Sequence, residues 1–422
     1  MILFAKKAVA RLAILFACGM PATAQQPKYD LLLKGGNVID PANGVNAPRD
    51  VSMLNGKIAA VGVNLPAAAA RKTIDVSGLY VTPGLVDIHV HVFWGPKLAV
   101  SANGEHSVQP DVTGFRAGVT TMVDAGTSGW RDFADFRRRV IDTAQTRVLA
   151  MINIIGVGML GADDATDQNE FDMDPAMVAK VAAKNADVVV AIKSAHWRQK
   201  NFISVEKAVE AGNLANLPVV VDFGYFDKPY QTLVTDKLRP GDISTHFYRA
   251  PAPLLDKDGR TAEYLKVARK RGVKFDVGHG GGSFHFPVAE PLVKQGFWPD
   301  SISTDLHSGS VNGAMVDMLN VMSKFLAMGV PLEEVIREST TNPATQIRRP
   351  ELGQIRVGAG ADVAVLRLDR GKFGFADVRG GRIEGGQRLG CEMTIRAGRI
   401  VYDLNGRAAE PWREGKIEYP TK

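Results

Sequence analysis

The stretch at residues 81–95 reads VTPGLVDIHVHVFWG and ends an apolar run with two histidines two positions apart. Successive side chains of a β-strand point to opposite faces, so His89 and His91 share one face with Asp87. Packing alone would favour valine or leucine there. Two imidazoles at this spacing, at the carboxyl end of a strand, favour metal ligation over a buried structural role.

Short apolar or β-branched runs recur between residues 85 and 306, and longer segments of helical character separate them. Several runs are apolar throughout, as is typical of strands buried on both faces of a parallel sheet. Spacings of about thirty residues leave room for a crossover helix each time. The pattern predicts an α/β fold, a (β/α)8 TIM barrel, from the runs LVDIHVHV, VTTMVDAG, RVLAMINI, DVVVAIK, LPVVVDF, DISTHF, VKFDVG and SISTDL.

The two flanks of this region, residues 28–80 and 353–405, read as short strands joined by turns. Neither flank is long enough for a sandwich alone, so we predict one small β-sandwich domain built from both chain ends around an inserted barrel. The predicted boundaries are a signal peptide at 1–24, the first part of the small domain at 25–82, the barrel at 83–345, and the second part with a tail at 346–422.

The N-terminus has the pattern of a secretory signal. Basic residues precede the apolar run from Leu12 to Cys18, and Ala22-Thr23-Ala24 follows as a small-x-small cleavage site. We therefore predict an exported protein, periplasmic or secreted; lipid anchoring at Cys18 is the alternative, although Phe16 is bulky for a lipobox. Cleavage leaves Cys391 as the one cysteine of the mature chain, which excludes an intrachain disulfide.

The composition is that of an ordinary globular protein: 422 residues, 45% hydrophobic and 23% charged. Removing the leader takes away three of the 51 basic residues and none of the 45 acidic ones, so the net charge falls from +6 to +3. That charge is too mild to indicate nucleic-acid binding, and no later apolar run reaches the roughly 18–20 residues of a membrane span. The predicted partner is a small-molecule substrate, with no nucleic acid and no membrane after signal cleavage; a homo-oligomer stays open.

Four more polar residues fall at the ends of predicted barrel strands, namely Lys193, Asp222, His246 and Asp305. The active sites of this fold lie at the carboxyl ends of the strands and draw residues from several of them. Each residue alone has a structural alternative, such as capping a helix or donating to a carbonyl. Together they predict a metal-dependent catalytic site.

Lys193 requires separate chemistry because an ammonium group cannot ligate a cation. Burial lowers the pKa of a lysine, and the neutral amine can add carbon dioxide to give a carbamate, whose two oxygens can bridge two metals. We therefore predict a carbamate on Lys193.

The chain resembles the amidohydrolase superfamily of metal-dependent hydrolases through VTPGLVDIHVH, AIK, STH and STDLH. It resembles most closely the amidohydrolase/deacetylase branch of dihydroorotase-like metallohydrolases, through HVHVFWG, GVTTMVDAG, FDVGHGGGSF, ISTDLHSGSVNG and MSKFLAMG. This resemblance covers nearly the whole mature chain. It implies one or two divalent ions, zinc being the expected metal, held by His89, His91 and Asp305 with Lys193 bridging to His246.

The branch has a histidine at the end of strand five, where this sequence has Asp222. An aspartate oxygen also binds zinc, so we predict Asp222 as a ligand, with a weak or absent second site as the open alternative. After His246 the family often continues with a cysteine and a second histidine, whereas this chain reads Phe247-Tyr248-Arg249.

The resemblance implies hydrolysis of an amide (N-acyl, deacetylase-like) or ester bond by water that the metal activates. Asp305 would be the catalytic base that takes the proton and returns it to the leaving group. His279, in the run HGGG, and Tyr248 are predicted substrate contacts, although a tight glycine turn explains the run equally well.

Three other functions compete with this one. A catalytically impaired barrel could act as a small-molecule-binding protein if Asp222 has broken the metal site. A dihydroorotase- or hydantoinase-like enzyme would open cyclic amides by the same chemistry. A serine hydrolase, suggested by HGGG, is set aside because no Gly-x-Ser-x-Gly occurs in the sequence.

Overall fold

The computed structural model describes residues 27–93, 107–159, 168–222, 229–250 and 253–412. The predicted signal peptide lies outside these residues and stays a prediction, as do the domain boundaries. Within the described ranges, no helix has the length and apolar character needed to span a bilayer.

The strands form two sheets, and their bounds are β1 (Tyr29–Asp40), β2 (Val45–Leu54), β3 (Lys57–Gly62), β4 (Ala70–Asp75), β5 (Tyr80–Pro83), β6 (Leu85–Val90), β7 (Val119–Gly129), β8 (Arg147–Asn153), β9 (Val189–Ser194), β10 (Val219–Asp222), β11 (Ile243–Thr245), β12 (Lys274–Phe275), β13 (Val363–Ala376), β14 (Arg382–Arg396) and β15 (Arg399–Asp403).

The α-helices of the described residues are mostly short and lie between the strands of the second sheet or after it. Two of them run on into π-helical turns, at Arg137–Ile141 and Leu233–Lys237. The α-helices are Pro110–Gly114, Phe133–Phe136, Pro175–Lys184, Ile203–Ala215, Tyr230–Thr232, Glu263–Arg271, Phe286–Lys294, Met318–Ala327, Leu332–Arg337 and Thr341–Gln346.

Strands β6 to β12 form a seven-stranded parallel sheet in sequence order. The eighth predicted strand, SISTDL, pairs only through single bridges, from Leu306 to Val90 at one edge and from Ser301 to Asp276 at the other. Because this stretch contacts both edges of the curled sheet, the architecture is of the TIM-barrel type predicted from the strand-and-helix pattern.

Alternation along the barrel strands sets apolar and polar side chains on the same face. Ala191, Val220 and Ile243 belong to one buried apolar cluster. Lys193, Asp222 and Thr245 each lie two residues further along the same three strands, so they share that face nearer the carboxyl ends. The strand pattern therefore delivers the polar groups to one end of the barrel, above a packed apolar layer.

Strands from both chain ends make a single eight-stranded mixed sheet, in the order β15-β14-β13-β5-β1-β2-β3 with β4 paired to β1. The two ends meet where β13 pairs antiparallel with β5, for example Val365 opposite Val81. Its core, which includes Leu33, Val51 and Met393, is separate from the barrel core. The predicted sandwich is not confirmed, because these strands join edge to edge in one sheet.

Candidate functional site

His89 and His91, at the end of β6, meet Asp305 from the eighth barrel segment. The Oδ1 atom of Asp305 lies 3.1 Å from His91 Nε2 and 3.6 Å from His89 Nε2. Among the described residues, these three side chains form the set of metal-competent groups whose ligand atoms all lie within 4.8 Å of one another. Ligand atoms that each lie about 2.0–2.2 Å from one zinc ion are separated from one another by similar distances. The three residues therefore fit a divalent ion.

The two imidazoles are oriented by threonines. The Thr245 hydroxyl donates to Asp276 Oδ2 (2.7 Å) and therefore accepts from His89 Nδ1 (2.8 Å). On the other ring, His91 Nδ1 lies 2.7 Å from the Thr127 hydroxyl. With Nδ1 as the donor, each ring presents the lone pair of Nε2 to the site, as a metal ligand requires.

Burial and the neighbouring Lys193 lower the pKa of His89 to about 3, so its imidazole is neutral at neutral pH. Burial raises the pKa of the Asp305 carboxyl, but the electrostatic interaction with His89, the hydrogen bond with His91 and the nearby His246 outweigh that effect and hold the pKa well below its usual range. A neutral imidazole at His89 and an ionised carboxylate at Asp305 are the protonation states that bind a metal.

Lys193 is fully buried beside this triad, with Nζ 3.2 Å from His89 Nε2. Burial lowers the pKa of its amine, against the opposing charge of Asp222 and other carboxylates. Gly126, at φ +84°, leaves no room for a Cβ atom because it packs against the Lys193 stem. The structure thus places Lys193 where a carbamate would meet the triad; the carbamate itself stays a prediction.

Asp222 ends β10, and His246 directly follows β11. Asp222 Oδ2 is 3.4 Å from His246 Nε2, and the rings of His246 and His89 are 4.9 Å apart between centroids. Burial lowers the pKa of His246, but the Asp222 and Asp305 carboxylates together raise it by more. Their role as metal ligands stays a prediction.

Two further residues approach Asp222, and neither was assigned a role from the sequence. His196 Nε2 lies 3.2 Å from Oδ2, and a nitrogen of the Arg249 guanidinium lies 3.7 Å from Oδ1. His196 follows Lys193 by three residues, and Arg249 follows His246 by three, each in the loop after a barrel strand. This position in the sequence could have indicated a site role, because loops at the carboxyl ends of the strands build the sites of this fold.

The glycine run after β12 has a steric reason. Gly278 and Gly280 have φ values of +46° and +51°, a region that residues with side chains rarely adopt. A Cβ atom at Gly278 would collide with the Thr245 hydroxyl, and one at Gly280 would collide with the Asp305 carboxylate. Both glycines allow the backbone to approach site residues closely, which supports the tight-turn explanation of HGGG.

His279 and Tyr248, the predicted substrate contacts, are fully buried. His279 stacks on Phe284, with 4.6 Å between ring centroids, and its Nε2 lies 2.6 Å from Lys324 Nζ. Tyr248 packs edge-on against Phe284 at 5.7 Å. Both are core side chains behind the mouth in this structure, and a substrate role for either stays a prediction.

Comparison with known proteins shows the family of this chain. The sequence profile described as "Amidohydrolase family" matches residues 276–402. A deacetylase from Agrobacterium fabrum is 32% identical over 323 residues, which span 74% of this chain and 77% of that protein. The chain belongs to the amidohydrolase superfamily. The relationship implies use of a divalent metal, for which His89, His91 and Asp305 form the candidate site.

Two solved structures resemble this amidohydrolase over most of its length. The crystal structure of an adenine deaminase has a TM-score of 0.80 and 28% identity, covering 89% of this chain and 100% of that one. A dihydroorotase structure has a TM-score of 0.76 and 28% identity, covering 88% and 99%. The named activities differ between these relatives, so membership of the superfamily leaves the substrate to be argued from the site.

Proposed function

We propose that this amidohydrolase is an exported, zinc-dependent deacetylase that hydrolyses the amide bond of a small N-acylated substrate or the corresponding ester. The observation that carries the proposal is the convergence of two histidine nitrogens and one carboxylate oxygen at the barrel mouth. A divalent ion held there would activate water and polarise the substrate carbonyl. The deacetylase relative from Agrobacterium fabrum supports the acyl substrate.

Asp305 supplies the proton transfers in this proposal. Its Oδ1 faces both imidazoles, whereas its Oδ2 lies beside Gly280 and 4.0 Å from His307 Nε2. The ionised carboxylate therefore accepts the proton of the attacking water and returns it to the departing amine or alcohol. Its fixed position against the Gly280 backbone orients it for both transfers.

The test is a turnover assay with N-acetylated amino acids and acyl esters, before and after a chelator removes the metal. We expect chelation to abolish hydrolysis and zinc to restore it. Asp305→Asn should lower kcat by at least about 10²–10⁴-fold, whereas Asp258→Asn, at an exposed turn, should not. A metal-replete protein that binds but does not hydrolyse any substrate of the panel would favour the small-molecule-binding alternative.

A second candidate, hydrolysis of a cyclic amide, is favoured by the likeness to the dihydroorotase structure. The same assay separates the two when dihydroorotate and hydantoins are included. Turnover of a ring substrate with none of an acyclic one would replace the deacetylase proposal and keep the metal chemistry.

A further inference from the structure

His246 and Asp222 face each other through one ring nitrogen and one carboxylate oxygen. His246 Nδ1 lies 2.5 Å from the carbonyl oxygen of Gly278, so Nδ1 carries a proton and donates it. Nε2 is therefore the ring nitrogen that faces Asp222 Oδ2, at 3.4 Å. A metal ion can take the place of a proton between this nitrogen and the carboxylate oxygen, and 3.4 Å is close to the spacing of two ligands on one tetrahedral zinc ion.

An aspartate reaches less far than a histidine, so Asp222 needs a partner to fix its carboxylate. His196 provides one, because its Nε2 is 3.2 Å from the same Oδ2 atom. The His196 backbone has a φ of +56°, a strained conformation for a residue with a side chain. Gln168 holds this backbone by donating from its amide to the His196 carbonyl at 2.8 Å.

Arg249 approaches the other carboxylate oxygen of Asp222, Oδ1. A nitrogen of its guanidinium lies 3.7 Å from Oδ1. The guanidinium is thus paired with one oxygen while the two histidines approach the other. This arrangement leaves the Oδ2 side, between His246 and Asp222, as the place for a cation.

We propose that His196 is a positioning residue for a second divalent ion, holding Asp222 so that the carboxylate can replace the histidine usual at this strand end. His196 and Asp222 then act as a pair: the strand supplies the ligand and the loop after β9 supplies its orientation. This inference rests on the metal-dependent function proposed above, and it concerns only the second ion.

The test is the number of ions per chain in protein equilibrated with buffered Zn²⁺, measured by elemental analysis. A second readout is the electron paramagnetic resonance of Mn²⁺-loaded protein, in which two neighbouring ions couple. We expect two ions in the wild type. His196→Ala should weaken the second by about 10–100-fold, and His196→Gln, which keeps a donor, should retain it.

The decisive variant is His196→Ala combined with Asp222→His. A histidine at 222 needs no partner for its reach, so this double variant should hold two ions, unlike His196→Ala alone. A wild type with one ion, or equal affinities in wild type and His196→Ala, would overturn the inference. If either of these results is found while the protein still hydrolyses its substrate, only the proposed role of His196 is refuted. A wild type that binds no ion and hydrolyses no substrate would refute both that role and the proposed function.

Discussion

On the β6 side of the barrel mouth, two imidazoles and a carboxylate converge, and threonines on two other barrel strands hold the rings. On the β10 side, one carboxylate from a strand faces one imidazole, and a loop histidine approaches it. The threonines that support the first group lie within strands β7 and β11, whereas His196, which approaches Asp222 in the second group, lies in a loop at a φ of +56°. The difference teaches that the ligands of one site can be held by strand residues on one side and by a loop residue on the other.

Lys193 contacts His89 on the β6 side and interacts electrostatically with Asp222 on the β10 side, so its removal should have the largest effect. We expect Lys193→Ala to lower kcat/KM by at least about 10²-fold, because it removes a group that touches His89 and, as a carbamate, an oxygen ligand of the ions. The measurement is hydrolysis with and without added acetate or propionate. Partial rescue by the short acid indicates the carbamate; full activity of the variant without any acid would refute it.

The strand-borne groups were the part of the site that the sequence could predict. Polar residues inside buried strands stand out against an apolar background, and period-two alternation assigns them to one face, as for Lys193 and Asp222. His196 and Arg249 carry no such signal, because a polar residue in a loop is ordinary. Their contact with Asp222 depends on loop conformation, which no periodicity encodes.

The fold, like the site, could be predicted from the sequence only in part. The barrel strands and their order follow from short apolar runs and crossover lengths. The sequence did not predict that SISTDL would close the barrel through single bridges. It also did not predict that the flanking strands join edge to edge in one sheet. Alternation of apolar and polar residues along a strand indicates which face is buried but not which element covers that face.

The β6 side can be tested at Thr245. Thr245→Val keeps the side-chain shape but leaves His89 Nδ1 without its acceptor and Asp276 without one donor. We expect a loss of about 10–100-fold in affinity for the first ion, measured by competition with a chromophoric chelator. Thr345→Val, at an exposed helix position, is the control. An unchanged affinity in Thr245→Val would show that the strand framework alone orients His89.

The smallest effect is expected at Gly280, where a single methyl group tests how closely the backbone must approach Asp305. In Gly280→Ala the positive φ alone should cost about 1–2 kcal/mol of the free energy of unfolding. The new Cβ also pushes on Asp305 Oδ2, so kcat should fall even where the variant is fully folded.

Gly282→Ala is the matched control, because a Cβ atom there meets no atom within 4 Å and its φ is not in the strained region. Thermal unfolding and turnover are measured on both variants. Equal stability and equal kcat in the two would show that Asp305 moves aside at no cost. The metal and the histidines, and not the Gly280 backbone, would then position the Asp305 carboxylate. The β6 side would be less rigid than its hydrogen bonds indicate.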